Sequence, residues 1–162
     1  MSEDRLSAYR EKRNRNRTPE PVPERGPLPR GQDDTFVIQE HHARRLHWDF
    51  RLERDGVLVS WALPKGLPED HKTNRLAIRT EDHPLDYASF EGEIPPGQYG
   101  AGTVKIWDRG TYETQKWTDD EIKIVLHGSR TSGRYVLIHI RDNQWLMHRM
   151  DLPDPISDQP AP

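Results

Sequence analysis

From Thr35 onward, apolar and polar residues alternate in short runs: "TFVIQ", "LHWDFRLER", "VLVSWAL", "RLAIRT", "GTVKIW", "EIKIVL", "RYVLIHI" and "QWLMHRM". A period of two over five to nine residues, bounded by Gly, Pro, Asn and Asp, predicts strands and few helices. Asp55-Gly56 separates two of the runs and suits a type I′ hairpin turn, whose two central residues both need positive φ. Asp142-Asn143 turns another pair. So many short strands predict an all-β fold, either a sandwich or a closed β-barrel of about eight strands. Closure has the advantage of leaving no sticky edge.

The same pattern sets the domain limits. Residues 1–34, including "TPEPVPERGPLPRGQDD", show no apolar period and read as a flexible or loosely draped arm rich in basic residues and proline. Residues 35–150 form one domain without internal repeats. The segment 151–162, "DLPDPISDQPAP", is expected to fray. Within the arm, "RLSAYREKRNRNR" clusters positive charge that could track a phosphate backbone or simply be solvated.

Composition narrows the chemistry. The chain of 162 residues has a formal net charge of −3, which argues against a generic polycation, and its five tryptophans argue against wholesale disorder. It contains no cysteine, so a metal would have to be held by His, Asp, Glu or water. No apolar run reaches membrane-spanning length and the start "MSEDRLSAYREK" lacks the apolar segment of a secretory signal, so a cytoplasmic location is expected.

The strand "LHWDFRLER" has two faces. Leu46, Trp48, Phe50 and Leu52 share one side, and His47, Asp49, Arg51 and Glu53 the other. His47 and Asp49 project together about 7 Å apart, close enough for their side chains to converge on one ion. His41 or His42 could add a third ligand from the preceding turn, and Arg51 beside such an ion suits a phosphate group. The competing reading is a solvated polar face with incidental histidines. A second cluster, "RTEDHPLDYASFEG", carries His83 and Tyr87 in a loop-like setting; they could donate protons to a bound phosphate or be a turn histidine beside a packed tyrosine. Arg75 and Arg79, four apart, share a strand face and could extend an anion site. "IPPGQYGAGTV" lacks the Lys-Ser/Thr of a P-loop and reads as a wide turn.

"FVIQEHHARRLHWDFRLERDGVLVSWALPKGLP" and "RLAIRTEDHPLDYASFEGEIPPGQYGAGTVKIWDRGTYE" resemble the 3′-phosphoesterase domain family of the bacterial ligase D repair enzymes. The resemblance runs from about Tyr9 to Met150. It implies a barrel with an apolar interior and an active site on the outer surface. It implies His41, His47 and Asp49 as metal ligands, with manganese (Mn2+) as the ion. Arg51, Arg75, His83 and Tyr87 would bind phosphate, with His83, Arg51 and Tyr87 catalytic. The activity implied is removal of 3′-phosphates, and of 3′-ribonucleosides, from DNA or DNA/RNA primer-template ends to leave a 3′-hydroxyl. Arg13 and Glu20 would serve the ribonucleoside step from the arm. Asn14 and Arg15 depart from the family's usual Asp-Phe, and His148 stands where lysine is common.

With no ligase or polymerase sequence attached, the expectation is a free-standing monomeric enzyme that meets end-joining ligase or Ku components as partners. The expected mechanism places water against a phosphate held by the metal and Arg51, with His83 stabilising charge or protonating the leaving oxygen. Two rivals use the same residues. A non-haem iron oxygenase would use His-x-Asp and a distant His as a facial triad. A nucleic-acid end-binding module would use the basic arm and the arginine face without turnover.

Overall fold

A computed structural model of the chain describes residues 4–150. The expectation that 151–162 frays lies outside the described residues. Nine strands follow a short helix, α1 (Ser7–Glu11): β1 (Thr35–His42), β2 (Leu46–Arg54), β3 (Val57–Leu63), β4 (Asn74–Pro84), β5 (Gly92–Ile94), β6 (Gly102–Trp117), β7 (Glu121–Gly128), β8 (Ser132–Arg141) and β9 (Gln144–Arg149). A 3₁₀ turn, Leu85–Ser89, lies between β4 and β5.

The strands form one antiparallel sheet in the order β1-β2-β3-β4-β9-β8-β7-β6-β5, and β1 also pairs with β6. That pairing closes eight strands into the expected barrel, with β5 outside it as an extra strand on β6. Asp55 and Gly56 both have positive φ, 52° and 87°, in the two-residue turn between Arg54 and Val57. The hairpin signal therefore worked through backbone geometry.

The barrel interior is built from the apolar side of the alternation. Phe36, Ile38, Phe50, Leu52, Trp61 and Leu63 are fully buried and pack with Ile124, Leu126, Leu137 and Met147 from the far wall. Burying each such side chain stabilises the fold by roughly 1.5–3 kcal/mol.

A second cluster lies outside the barrel, where Tyr9, Val37, Leu58, Tyr87, Phe90, Ile94 and Val104 pack together. It is a roof formed by the arm, the 3₁₀ turn and β5 over the outer face of the sheet. Part of the arm is packed down on that face, with Tyr9 0% exposed, Leu6 3% and Glu20 5%, whereas most of residues 24–32 are exposed. The spacing of these buried residues follows the shape of the surface they cover and leaves no period to read. Between roof and barrel the polar side of β2 is also buried, including Asp49, Arg51 and Glu53. Among the described residues no helix is long and apolar enough to cross a membrane.

Candidate metal centre and phosphate pocket

Register brings the site together. Antiparallel pairing sets His41 opposite His47 and Gln39 opposite Asp49, and directly paired residues share a face of the sheet. His41, His47 and Asp49 each offer a ligand atom, all within 4.8 Å of one another. His42, one residue on, faces the other way; it is exposed and contacts Glu40 Oε1 through Nε2 at 2.6 Å.

The hydrogen bonds select which nitrogen of each imidazole is free. His41 Nε2 lies 2.7 Å from the Gly100 carbonyl, which can only accept, so Nε2 carries the proton and the Nδ1 lone pair faces Asp49 Oδ2 at 3.3 Å. His47 Nδ1 lies 3.2 Å from the Arg45 carbonyl, which leaves Nε2 toward Asp49 Oδ1, also at 3.2 Å. Two imidazoles and one carboxylate, oriented by backbone carbonyls, offer the donor set of a divalent transition metal. Burial would lower the His47 pKa, but the hydrogen bond and charge of Asp49 outweigh it and push it up, so a proton competes with an ion at Nε2. Burial alone would raise the Asp49 carboxyl, but the Arg51 charge overcomes it, joined by His41 Nδ1 and His47 Nε2 when those nitrogens carry a proton, and the group is held well below the usual carboxylate range. Asp49 is therefore an anion whenever the histidines are neutral enough to bind metal.

Gly100 connects the wide turn to this centre. It has φ of 75°, and a Cβ there would stand 3.4 Å from His41 Cε1. A side chain at this φ costs about 1–2 kcal/mol and displaces the carbonyl that fixes His41. Gly100→Ala is thus expected to weaken metal affinity by roughly 10–100-fold, the usual cost of losing an orienting partner. Calorimetric titration with manganese measures it.

Arg51 is fixed beside the ligands. Its Nε donates to Gln39 Oε1 at 2.7 Å, its Nη2 lies 3.4 Å from Asp49 Oδ2, and its guanidinium stands 4.7 Å from the Tyr87 ring centroid. Gln39 in turn donates to the carbonyls of Tyr87 and Phe90 at 2.9 and 3.1 Å. Gln39 was not singled out in the sequence, although it lies two residues before His41 and so on the same face.

A bulge in β4 positions His83. Ser60 pairs with Thr80 and Leu58 with His83, so three steps along β4 match two along β3. The extra residue lets Thr80 and His83 both point outward. His83 Nδ1 donates to the Glu81 carbonyl at 2.8 Å, which leaves Nε2 as an acceptor 3.4 Å from Arg13 Nη2. Burial, followed by the charges of Arg51 and Arg13, pushes the His83 pKa well below the ordinary histidine value. The imidazole is neutral at pH 7.

The bulge also explains where Arg75 goes. Counting eight residues back from His83 gives the same face in a regular strand, but the extra residue inverts the count. Arg75 pairs with Met147 and Arg79 with Trp61, so both lie on the barrel-interior side of β4. The structure does not bring Arg75 to the wall of the pocket, unlike the other residues that the resemblance implies for phosphate, Arg51, His83 and Tyr87.

The arm completes the enclosure. Arg13 pairs with Glu20 through Nε at 3.2 Å and with Glu81 through Nη1 at 3.0 Å, and it lies 3.7 Å from the Tyr9 ring centroid. Tyr87 donates its hydroxyl hydrogen to Glu20 Oε2 at 2.5 Å. Burial pushes the Tyr87 phenol well above its ordinary value, and Glu20 adds to the shift, so it keeps its proton. Asn14 and Arg15 point elsewhere: the Asn14 carbonyl accepts from Arg17 and Thr18 in a local turn, and Arg15 pairs with Glu24 at the surface. His127, His139 and His148 bond to Glu113, Asp142 and Asn74, away from these residues. A cavity of about 290 Å³ lies among Arg13, His41, His47, Arg51, His83 and Tyr87. Its walls bring together the His41, His47 and Asp49 group, the guanidinium groups of Arg13 and Arg51, the neutral imidazole of His83, and the carboxylates of Glu20 and Glu81 that pair with Arg13.

Comparison with known proteins agrees with this chemistry. The family model for the DNA Ligase D 3′-phosphoesterase domain matches residues 39–139. The multifunctional non-homologous end joining DNA repair protein LigD of Mycobacterium tuberculosis is 60% identical over 151 residues, 91% of this chain and 20% of the relative. The LigD proteins of Mycolicibacterium smegmatis and Pseudomonas aeruginosa are 55% and 46% identical, across 91% and 88% of this chain and 21% and 18% of their own lengths. The chain spans about a fifth of the length of these curated relatives.

Proposed function

Because the chain belongs to the DNA ligase D 3′-phosphoesterase domain family, we propose that it removes terminal 3′-phosphates from DNA primer-template ends and leaves a 3′-hydroxyl for repair. The observation that carries the reading is the convergence of His41, His47 and Asp49, within 4.8 Å, beside the fixed guanidinium of Arg51. A divalent ion held by those three residues, manganese in this reading, would polarise a phosphate oxygen and lower the pKa of a bound water. We assign the remaining work to side chains. Arg51, with its Nε committed to Gln39, forks its other N–H groups onto the phosphate. Arg13 supplies a second positive charge from the arm, and Tyr87 donates a hydrogen bond once the substrate displaces Glu20.

His83 is neutral before substrate arrives, so it enters as a hydrogen-bond acceptor at Nε2. A dianionic phosphate between Arg13 and Arg51 offsets the two charges that depress its pKa. His83 can then take up a proton from solvent as substrate binds and donate it to the leaving 3′-oxygen as the P–O bond breaks, as a general acid. The free imidazole is expected to titrate well below pH 6.5, and phosphate or vanadate should move that titration upward. Imidazole resonances followed by NMR across pH 4–8 check both statements; a free-protein titration at or above the ordinary value would sink the assignment.

The same pocket, with Arg13 and Glu20, would accept a 3′-terminal ribonucleoside; a single ribonucleotide on a primer is the corresponding substrate. We place the enzyme with end-joining ligase and Ku components at breaks in the cytoplasm, acting as a monomer. Family membership and the Arg51 contact favour a phosphoesterase over an oxygenase built on the same triad. The deciding experiment incubates a labelled 3′-phosphate primer-template with a panel of divalent ions. Metal-dependent conversion to a 3′-hydroxyl supports the proposal, and binding without conversion refutes it in favour of an end-binding module.

A further inference from the structure

We propose that a second cavity, at one mouth of the barrel, binds an unpaired nucleotide of the strand complementary to the reacting one. The inference rests on the proposed function for its substrate class, and adds a site which the phosphate chemistry does not use. The cavity, of about 340 Å³, lies where Trp48, Trp107 and Tyr135 meet Lys65, Arg130 and Arg149. That is the low end of the roughly 300–1,000 Å³ range of ligand pockets and suits a single nucleotide.

Its place in the fold links it to the metal centre. Trp48 stands between His47 and Asp49 on β2, so its ring leaves the strand on the inner side while the ligands leave on the outer. Trp48 pairs with Leu63 at the end of β3, and Tyr135 pairs with Arg149 at the end of β9. The loops that follow β1, β3 and β7 therefore gather at this mouth, and the first carries the exposed Arg44 and Arg45.

The lining has the composition that holds single strands. The Arg130 guanidinium lies 4.9 Å from the Trp107 ring centroid, and that of Arg149 5.8 Å from the Tyr135 centroid. Asp108 fixes the turn bearing Arg130: its carboxylate accepts from the backbone N–H groups of Ser129, Arg130 and Thr131 at 3.0, 3.0 and 2.8 Å, and from the Thr131 hydroxyl at 2.7 Å. Beside these three cationic residues the lining holds one acidic residue, Glu69, whose backbone carbonyl accepts from Arg149 Nη1 at 3.2 Å. Aromatic and guanidinium planes stack on bases, and surrounding cations track the backbone phosphates. Only an unpaired base offers a free face. Next to a recessed 3′ end such bases belong to the complementary strand, beyond the junction.

The test uses the full chain and a fluorescein-labelled oligothymidylate, read by anisotropy in chelator so that neither metal nor turnover contributes. Trp107→Ala and the surface variant Arg130→Ala should each weaken binding by about five- to hundredfold, the usual weight of one stacking partner. On 3′-phosphate substrates the same variants should lower the ratio of kcat/KM for a template-overhang end to that for a blunt end, through KM. Unchanged oligothymidylate affinity in Arg130→Ala and in a folded Trp107→Ala overturns the proposal, as does an equal loss on overhang and blunt ends. His47→Ala separates the two readings: it should bind oligothymidylate like the parent chain and fail to hydrolyse. If the parent chain also failed to hydrolyse while Arg130→Ala still lost affinity, the phosphoesterase reading would fall and this site would stand.

Discussion

Alanine at His41, His47 or Asp49 is expected to lower manganese affinity and 3′-phosphate hydrolysis by more than about 100-fold, because losing even an orienting partner outside the ligand set costs roughly 10–100-fold. The three variants should differ in stability. Asp49 is the partner of Arg51, whose side chain is 4% exposed, and removing it leaves a buried guanidinium without its carboxylate. Breaking a buried pair in this way costs about 3–5 kcal/mol. The His47 side chain is 24% exposed and its loss uncovers no charge of that kind. His47→Ala should therefore melt close to the parent chain in chelator while losing metal binding; Asp49→Ala should lose both. Calorimetric metal titration, thermal denaturation in chelator and phosphate release together read the difference. Full turnover in His47→Ala would remove the ligand assignment. Metal affinity should also drop as the pH is lowered, since His47, whose pKa Asp49 pushes up, must lose its proton to ligate, while Asp49 remains ionised.

Local alternation was enough to read β2. Its two-residue period separated Phe50 and Leu52 from Asp49 and Arg51, and the Asp55-Gly56 turn fixed the next strand against it. The same rule applied to β1 would have found Gln39 from His41. Elsewhere the period fails for identifiable reasons. A single extra residue in β4 inverts the faces between Thr80 and His83, which brought His83 to the pocket and took Arg75 away from it. No composition signal marks such a bulge. Gly100 was legible as a turn residue, but its carbonyl acts on His41 across 59 positions of sequence. Periodicity could not find the arm's anchors, and Arg13 and Glu20 entered only through the family resemblance, because Tyr9, Arg13 and Glu20 pack against a surface made by residues far along the chain.

Arg13→Ala tests whether the arm belongs to the site. The Arg13, Glu20 and Glu81 side chains are 4%, 1% and 4% exposed, so the substitution leaves two carboxylates buried without their shared cation. Lys12 still reaches Glu81 at 3.1 Å, and Thr18 and Tyr87 still donate to Glu20. These contacts soften the loss without supplying a buried charge. A destabilisation of about 3–5 kcal/mol is expected, measured by urea unfolding. The same change removes one of the two positive charges that act with burial to depress the His83 pKa. With Arg51 alone remaining, the His83 titration should move up toward the ordinary value while staying below it. Hydrolysis should fall as well, since the phosphate loses a cation. Arg13→Lys restores charge but not the fork that spans Glu20 and Glu81, so it should recover the His83 titration more fully than the stability. Arg10, one turn earlier, pairs with the partly exposed Asp4; Arg10→Ala should leave the His83 titration unchanged. If Arg13→Ala matched Arg10→Ala in both readouts, the arm would be a cover rather than a wall of the pocket, because a wall bearing that cation cannot be removed without His83 registering the loss.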